Sequence, residues 1–136
     1  MGLHASYLMH KYWKSHISVS FQRLRPAAGG YQPKFLVNDA QLVQLICAIR
    51  LWLPDAGIVL STREPGSLRD NLLPLGITQI SVGSKTAPGG YSSKPTAESQ
   101  FEVNDHRSPE DVAWMIRSRG YEPVWKDWDA IFLGNF

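Results

Sequence analysis

Ile58-Val59-Leu60-Ser61-Thr62-Arg63-Glu64 decides the fold: an apolar strand that stops abruptly at a hydroxyl, a second hydroxyl, a guanidinium and a carboxylate. In parallel α/β folds the chemistry collects just beyond the carboxyl ends of strands, so a ligand-binding cluster is expected at this junction. The continuous apolar run over 58–60 suits a strand covered on both faces. Upstream, Pro54, Asp55 and Gly57 separate it from a segment in which Leu42, Leu45, Ile46, Ile49 and Leu53 recur at helical spacing. Asn38 is the N-cap of that helix, with Gln41 placed to complete a capping box. Downstream, Ser67 and Asp70 offer a capping pair for a short helix through Leu72 and Leu73, closed by Pro74 and Gly76.

The same alternation continues outward. Ile17-Ser18-Val19-Ser20-Phe21 reads as a strand and runs into Arg23, Arg25 and the breaker Pro26, with Gly29-Gly30 and Pro33 forming a loop. Ile77 to Val82 reads as a third strand, ending at Gly83-Ser84-Lys85-Thr86 and a Pro88-Gly89-Gly90 turn. Before the first strand, Leu3, Tyr7, Leu8, Met9 and Tyr12 are spaced as on an uncapped helix. Residues 91–107 read as a long polar loop. Ser108-Pro109-Glu110-Asp111 then supplies an N-cap, a proline at the first helical position and acidic residues on the helix dipole; Val112, Met115 and Ile116 give the apolar stripe, and Gly120 ends it.

Strands alternating with helices predict an α/β fold with parallel strands and crossover helices. Only about three strands can be found, against eight in a closed barrel. Three open parallel strands leave two unpaired edges and apolar helix faces, so the chain reads as part of a larger domain.

Composition narrows the function classes. The chain has 136 residues, 43% hydrophobic and 19% charged, in keeping with a globular domain. A formal charge of +2 with dispersed Lys and Arg argues against nucleic acid. The single cysteine, Cys47, excludes an internal disulfide and a Cys-rich metal site built by this chain, and fits a reducing cytoplasm. It lies beside Ile46 on the apolar side of the best helix and reads as a core residue, not a nucleophile. No apolar run reaches the length of a membrane span and no signal-peptide layout opens the chain. Met1-Gly2-Leu3-His4-Ala5-Ser6 fits the loose myristoylation pattern, but no polybasic second signal follows. His4, His10 and His16 recur at six, which does not stack ligands on one helix face.

The candidate site is the set of strand ends: Arg23 and Arg25 after the first strand, Ser61, Arg63 and Glu64 after the second, Ser84 and Lys85 after the third. If the strands are neighbours, these groups converge. Arginine presents a planar fork suited to a carboxylate, and a hydroxyl two residues before it can donate to the same anion. The bland alternative is that Arg63 pairs with Glu64 or Asp70 and Ser61 merely ends a strand. Gly83-Ser84-Lys85-Thr86 does not meet the phosphate-loop order. Trp125 and Trp128, around Lys126-Asp127, read as anchors docking the last segment onto the body.

Six motifs in order carry a specific resemblance: Phe21-Gln22-Arg23-Leu24-Arg25-Pro26, Leu42-Val43-Gln44-Leu45-Ile46-Cys47-Ala48, Leu60-Ser61-Thr62-Arg63-Glu64, Arg69-Asp70-Asn71-Leu72, Gly83-Ser84-Lys85-Thr86-Ala87-Pro88-Gly89-Gly90-Tyr91 and Pro123-Val124-Trp125-Lys126-Asp127-Trp128-Asp129. From about Met1 to Asp129 the chain resembles the C-terminal part of the 2-iminoacetate synthases, the tyrosine lyases of bacterial thiamine biosynthesis, including the biotin and thiamine synthesis associated region. The resemblance implies a partial TIM-like barrel over residues 1–136 with a C-terminal extension. It also implies radical S-adenosylmethionine chemistry. In that family a [4Fe-4S] cluster cleaves S-adenosylmethionine, and the resulting radical attacks tyrosine to give p-cresol and 2-iminoacetate. The thiazole synthase subunit is the implied partner.

Carried over by motif, Ser61 and Arg63 hold the tyrosine carboxylate; Arg23 and Arg25 come next, as contacts to substrate or S-adenosylmethionine, then Ser84 and Lys85. No catalytic residue is assigned. The family's Cys-x-x-x-Cys-x-x-Cys cluster motif has no counterpart here, and Met1-Gly2-Leu3-His4 resembles the family's interior. The expected complement is therefore an N-terminal cluster-binding half, without which the chain is inactive and binds neither cluster nor S-adenosylmethionine stably. Two alternatives stand beside this: the related tyrosine lyase that matures iron-only hydrogenases, and a non-catalytic interaction module that keeps the scaffold.

Overall fold

The computed structural model describes residues 1–24, 34–86 and 103–125. Strands β1 (Ser18–Ser20), β2 (Gly57–Leu60) and β3 (Gln79–Ile80) form one parallel sheet in the order β1-β2-β3. Ser18, Val19 and Ser20 lie opposite Gly57, Ile58 and Val59, while Val59 and Leu60 lie opposite Gln79 and Ile80. Helix α1 (Gly2–Lys11) precedes the sheet, and α2 (Asp39–Trp52) connects β1 to β2. Helix α3 (Gly66–Leu72), continued by a 3-10 turn at Leu73–Leu75, connects β2 to β3, and α4 (Pro109–Ser118) follows. Each strand's neighbour is the next in the chain. This is the winding of a (β/α) barrel, not of a doubly wound sheet, whose order reverses at a switch point. The fold is α/β, part of a barrel.

Local chemistry explains most boundaries. At the start of α2, the Gln41 amide donates to Asn38 Oδ1 at 2.9 Å and the Asn38 amide to Gln41 Oε1 at 3.0 Å. At α4 the Asp111 amide donates to Ser108 Oγ at 3.1 Å and the Ser108 amide to Asp111 Oδ2 at 3.2 Å, with Pro109 at the first position. These boxes satisfy amides that would otherwise lack partners. The capping pair expected for α3 does not form: α3 starts two residues earlier, after Pro65, with no side-chain cap. Asp70 is unavailable because its carboxylate accepts from the Arg107 guanidinium at 2.8 and 3.1 Å.

Gly76 ends the 3-10 turn at φ +91°. Arg50, from the last turn of α2, donates to the Gly76 carbonyl at 3.2 Å (Nε) and 2.5 Å (Nη2) and to the carbonyls of Pro54 and Ala56 at 2.6 and 2.9 Å. A Cβ at residue 76 would meet Arg50 Nε at 2.7 Å, so this position requires glycine for space as well as for backbone conformation.

The core lies between the sheet and its helices. Val19, Phe21, Ile58 and Leu60 are buried with Leu42, Ile46 and Ile49 of α2 and Leu72 of α3. Alternation along a strand puts Ile58 and Leu60 on this helix-covered face and Gly57 and Val59 on the other. Val59 is only half-buried, so the apolar run of β2 does not carry equal burial on both faces as expected. Strand β3 is shorter than the Ile77–Val82 run suggests, and Cys47 sits half-buried at the rim of the core. Leu3 and Leu51 are 79% and 85% exposed, and among the described residues β1 pairs with β2 alone. Among those residues no helix is long and apolar enough to cross a membrane.

Leu42 is 1% exposed and Leu51 is 85% exposed on the same helix. Leu42→Ala should lower unfolding stability by about 3 kcal/mol and Leu51→Ala by less than about 0.5 kcal/mol. Urea denaturation of both variants checks this, and equal losses would refute the helix orientation.

Candidate functional site

The turn that follows β2 is built around Ser61. Its Oγ accepts from the Arg63 amide at 3.3 Å and its carbonyl from the Glu64 amide at 3.4 Å. A serine hydroxyl that accepts through a lone pair keeps its O–H as a donor. Ser61 and Arg63 are both half-buried, flanking the buried Thr62. Both expected carboxylate-holding groups thus stand on one turn at the carboxyl end of the central strand.

Arg23 reaches the same turn from the end of β1. Its Nε donates to Glu64 Oε1 at 3.0 Å and its Nη2 to Glu64 Oε2, while Nη1 donates to Asp39 Oδ1 at 2.7 Å and to the Val37 carbonyl at 3.1 Å. The Arg23 and Glu64 side chains are 8% and 2% exposed. The hydrogen bonds to Glu64 raise the guanidinium's already high proton affinity, against the opposing effect of burial. Arg23 therefore ties β1, the β2 turn and the start of α2 together, and a substrate anion would have to compete with Glu64 for it. Each acid named in the bland alternative carries another arginine: Glu64 takes Arg23 and Asp70 takes Arg107. Arg25 lies outside the described residues, as do the Pro88-Gly89-Gly90 turn and Trp128. Ser84, half-buried, and Lys85, exposed, follow β3 on the same side of the sheet, just past Gly83 at φ +60°.

A second cluster was not singled out in the sequence. Asp105 is 4% exposed and accepts from Arg69 Nη1, from the Arg107 amide at 3.1 Å and from the Arg107 guanidinium at 2.7 to 3.2 Å. Arg69, 1% exposed, also donates from Nη2 to the Ser81 carbonyl. The segment read as a polar loop thus ends in a buried ion-pair network. Hydrogen bonds from Arg107 hold the Asp105 carboxyl down at about 2, against the upward push of burial. Burial pushes Arg69 downward while Asp105 pulls it back; arginine's ordinary value is high enough that it stays a cation. The available signal was an acid and a base two residues apart, just before the Ser108 cap. Nothing in the spacing named partners 36 residues away.

A cavity of about 390 Å³ lies apart from Ser61 and Arg63. It opens beside β1 and is lined mainly by Met1, Phe21, Leu24, Phe35, Leu36 and Leu42. Its apolar wall does not suit a carboxylate. As for an iron-sulfur cluster, the residues present do not fit one: three thiolates are needed, the chain has one cysteine, and among the described residues no three His, Cys, Asp or Glu group as ligands.

Residues 20–122 match the model of the Biotin and Thiamin Synthesis associated domain. The chain belongs to this family. Over 132 residues it is 47% identical to the 2-iminoacetate synthase of Escherichia coli and 46% identical to that of Salmonella typhimurium, in each case 97% of this chain and 35% of the relative. The chain spans about a third of the length of these curated relatives. Among solved structures it resembles HydG, a maturase of the [FeFe]-hydrogenase, with a TM-score of 0.79 and 37% identity over 90% of this chain and 27% of that one. HydG from Carboxydothermus hydrogenoformans gives a TM-score of 0.73 and 36% identity over 88% of this chain and 27% of that one.

Asp105 titrates near 2 in the folded protein against 3.8 ordinarily. Its contribution, about 2 kcal/mol, should be complete above pH 4 and disappear as pH falls toward 2. Asp105→Asn leaves Arg69 charged and unmatched in the interior and should cost about 3–5 kcal/mol at pH 7, with the acid-dependent component of stability lost. Denaturation curves between pH 2 and 7 check both, and an unaltered pH profile in Asp105→Asn would contradict the assignment.

Proposed function

We propose that this chain is the part of a 2-iminoacetate synthase that holds the amino-acid end of tyrosine. The observation that carries this reading is the β2 turn, which puts a hydroxyl donor and a guanidinium on one strand end of a barrel-type sheet. In such folds substrates meet the protein at that rim. Arg63 supplies a fork matched to a carboxylate, and the Ser61 O–H adds a donor to the same anion. Ser84 and Lys85 are further polar groups near that rim, Arg25 is carried over by motif alone, and Arg23 acts mainly by fixing Glu64 and the turn.

The whole reaction, cleavage of tyrosine to p-cresol and 2-iminoacetate for the thiazole of thiamine, belongs to the complete enzyme. Its [4Fe-4S] cluster and S-adenosylmethionine would be held by residues outside this chain, in the N-terminal half of the barrel, and the chain is inactive without it. What these residues contribute is binding and orientation: they fix the substrate's carboxylate so that its reacting bond is presented to the rest of the site. Similarity to the 2-iminoacetate synthases, at 47% identity, supports this reading over a hydrogenase-maturation tyrosine lyase, at 37%. A cytoplasmic location beside a thiazole synthase subunit follows from the same reading, and the single cysteine accords with it.

The test is a chimera in which this chain replaces the matching segment of the Escherichia coli enzyme. Arg63→Ala in it should reduce tyrosine cleavage by about 100-fold or more while iron content stays unchanged. Full activity in that variant would sink the reading.

A further inference from the structure

We infer that Asn104 and Asp105 are positioning residues that fix the β2 turn in the orientation needed to hold a substrate carboxylate, an inference that rests on the reading of Ser61 and Arg63 above. The amides of Asn104 and Asp105 donate to the same carbonyl, that of Thr62, at 3.0 and 3.1 Å. Asn104 Nδ2 then donates to the next carbonyl, that of Arg63, at 2.9 Å. Two consecutive peptide planes of the turn are thus held from one neighbouring segment. The Thr62–Arg63 plane sets where the Arg63 side chain is rooted, and Ser61 is coupled to it through the Arg63 amide.

The buckle is itself anchored. Asp105 is bound by Arg69 of α3 and by Arg107, and Arg107 in turn forks onto Asp70 at 2.8 and 3.1 Å. Arg107 also lies against the first residue of α3: a Cβ at Gly66 would meet its guanidinium at 3.1 to 3.3 Å. Turn and helix are consecutive in the chain, so a segment fastened to both leaves residues 61–65 little freedom. Arg69 adds the link to β3 through the Ser81 carbonyl. A displacement of a side chain's root by a fraction of an ångström is enough to spoil a bidentate geometry, which gives the buckle its functional weight. A purely structural tie would need Asp105 and its arginines, but not the Asn104 amide group aimed at the peptide of Arg63.

The experiment uses the active chimera described above, with L-tyrosine as substrate and tyramine, which lacks the carboxylate, as competing inhibitor. Asn104→Ala removes the donor, and Asn104→Asp keeps the shape while presenting an acceptor to a carbonyl. Both should raise KM for tyrosine by about tenfold, leave kcat within about twofold, and leave tyramine inhibition unchanged. If Arg63→Ala erases the preference for tyrosine over tyramine while both Asn104 variants keep it, the positioning inference fails and the carboxylate reading stands. If Arg63→Ala also keeps it, the carboxylate reading fails. A second measurement needs no turnover: in the 136-residue chain, Asn104→Ala should speed amide exchange at Arg63 and Glu64 by about tenfold with α4 unaffected, and unchanged exchange at those amides overturns the inference.

Discussion

One buried carboxylate, that of Asp105, holds the strand-end side of this molecule together. Parallel strands deliver their turns to one side of the sheet, where the chain leaves regular hydrogen bonding and exposes carbonyls that need donors. Here the donors come from a segment about 40 residues along: the Thr62 carbonyl accepts from two amides of that segment, and the Arg63 carbonyl from Asn104, 41 residues away. Such a segment has no regular structure of its own, and its position depends on the grip of Arg69 and Arg107 on Asp105. Burying these charges is expensive, and among the described residues Arg69 Nε finds no hydrogen-bond partner. What the arrangement supplies in return is direction, since each guanidinium fork donates to its partners in one plane.

Arginine does the same work elsewhere in the fold. Arg23 spans β1, the β2 turn and α2; Arg50 ties the end of α2 to the chain on both sides of β2; Arg69 and Arg107 form the third staple. In each case the guanidinium reaches at least one carbonyl or carboxylate from a segment distant in sequence. An arginine after a strand is therefore poor evidence of a ligand by itself. Arg23 and Arg63 look alike in the sequence, yet Arg23 is bound to an acid with a 2% exposed side chain, while Arg63 shares its turn with the Ser61 hydroxyl. The weight of the substrate reading consequently rests on the Ser61–Arg63 turn.

Much of the fold was legible because its signals were local. Asn38 with Gln41, Ser108 with Pro109, and Gly76 each set a helix boundary through atoms within four residues, and spacing in 42–53 identified the face that α2 buries. The misreadings arose where a distant partner intervened. Ser67 and Asp70 have the spacing of a cap, but a fork from Arg107 outcompetes a single backbone amide for the carboxylate. Residues 103–107 have loop composition, and only their tertiary partners make Asp105 a buried anchor. The Ser61 and Arg63 pair was visible as a strand end, whereas the segment that holds it was not, because no periodicity links residue 62 to residue 104.

The two faces of the sheet bear on what surrounds it. Toward the helices it presents Val19, Ile58 and Leu60, all buried; on the other face the register aligns Ser18 with Gly57 and Ser20 with Val59 and Gln79, and both serines are exposed. A second helical layer would require large apolar residues on that face, as in doubly wound sheets covered on both sides. Small and polar side chains instead suit the interior of a barrel that leaves room for ligands. The exposed Leu3 and Leu51 on the flanking helices, and the edge of β1 that pairs with no strand among the described residues, then lie where neighbouring barrel units would pack. On the proposed reading, the polar face becomes lumen wall and the β2 turn becomes part of its rim. The turn's rigidity then matters more than its net stability, because a rim assembled from several strands works only if each turn keeps its place relative to the others.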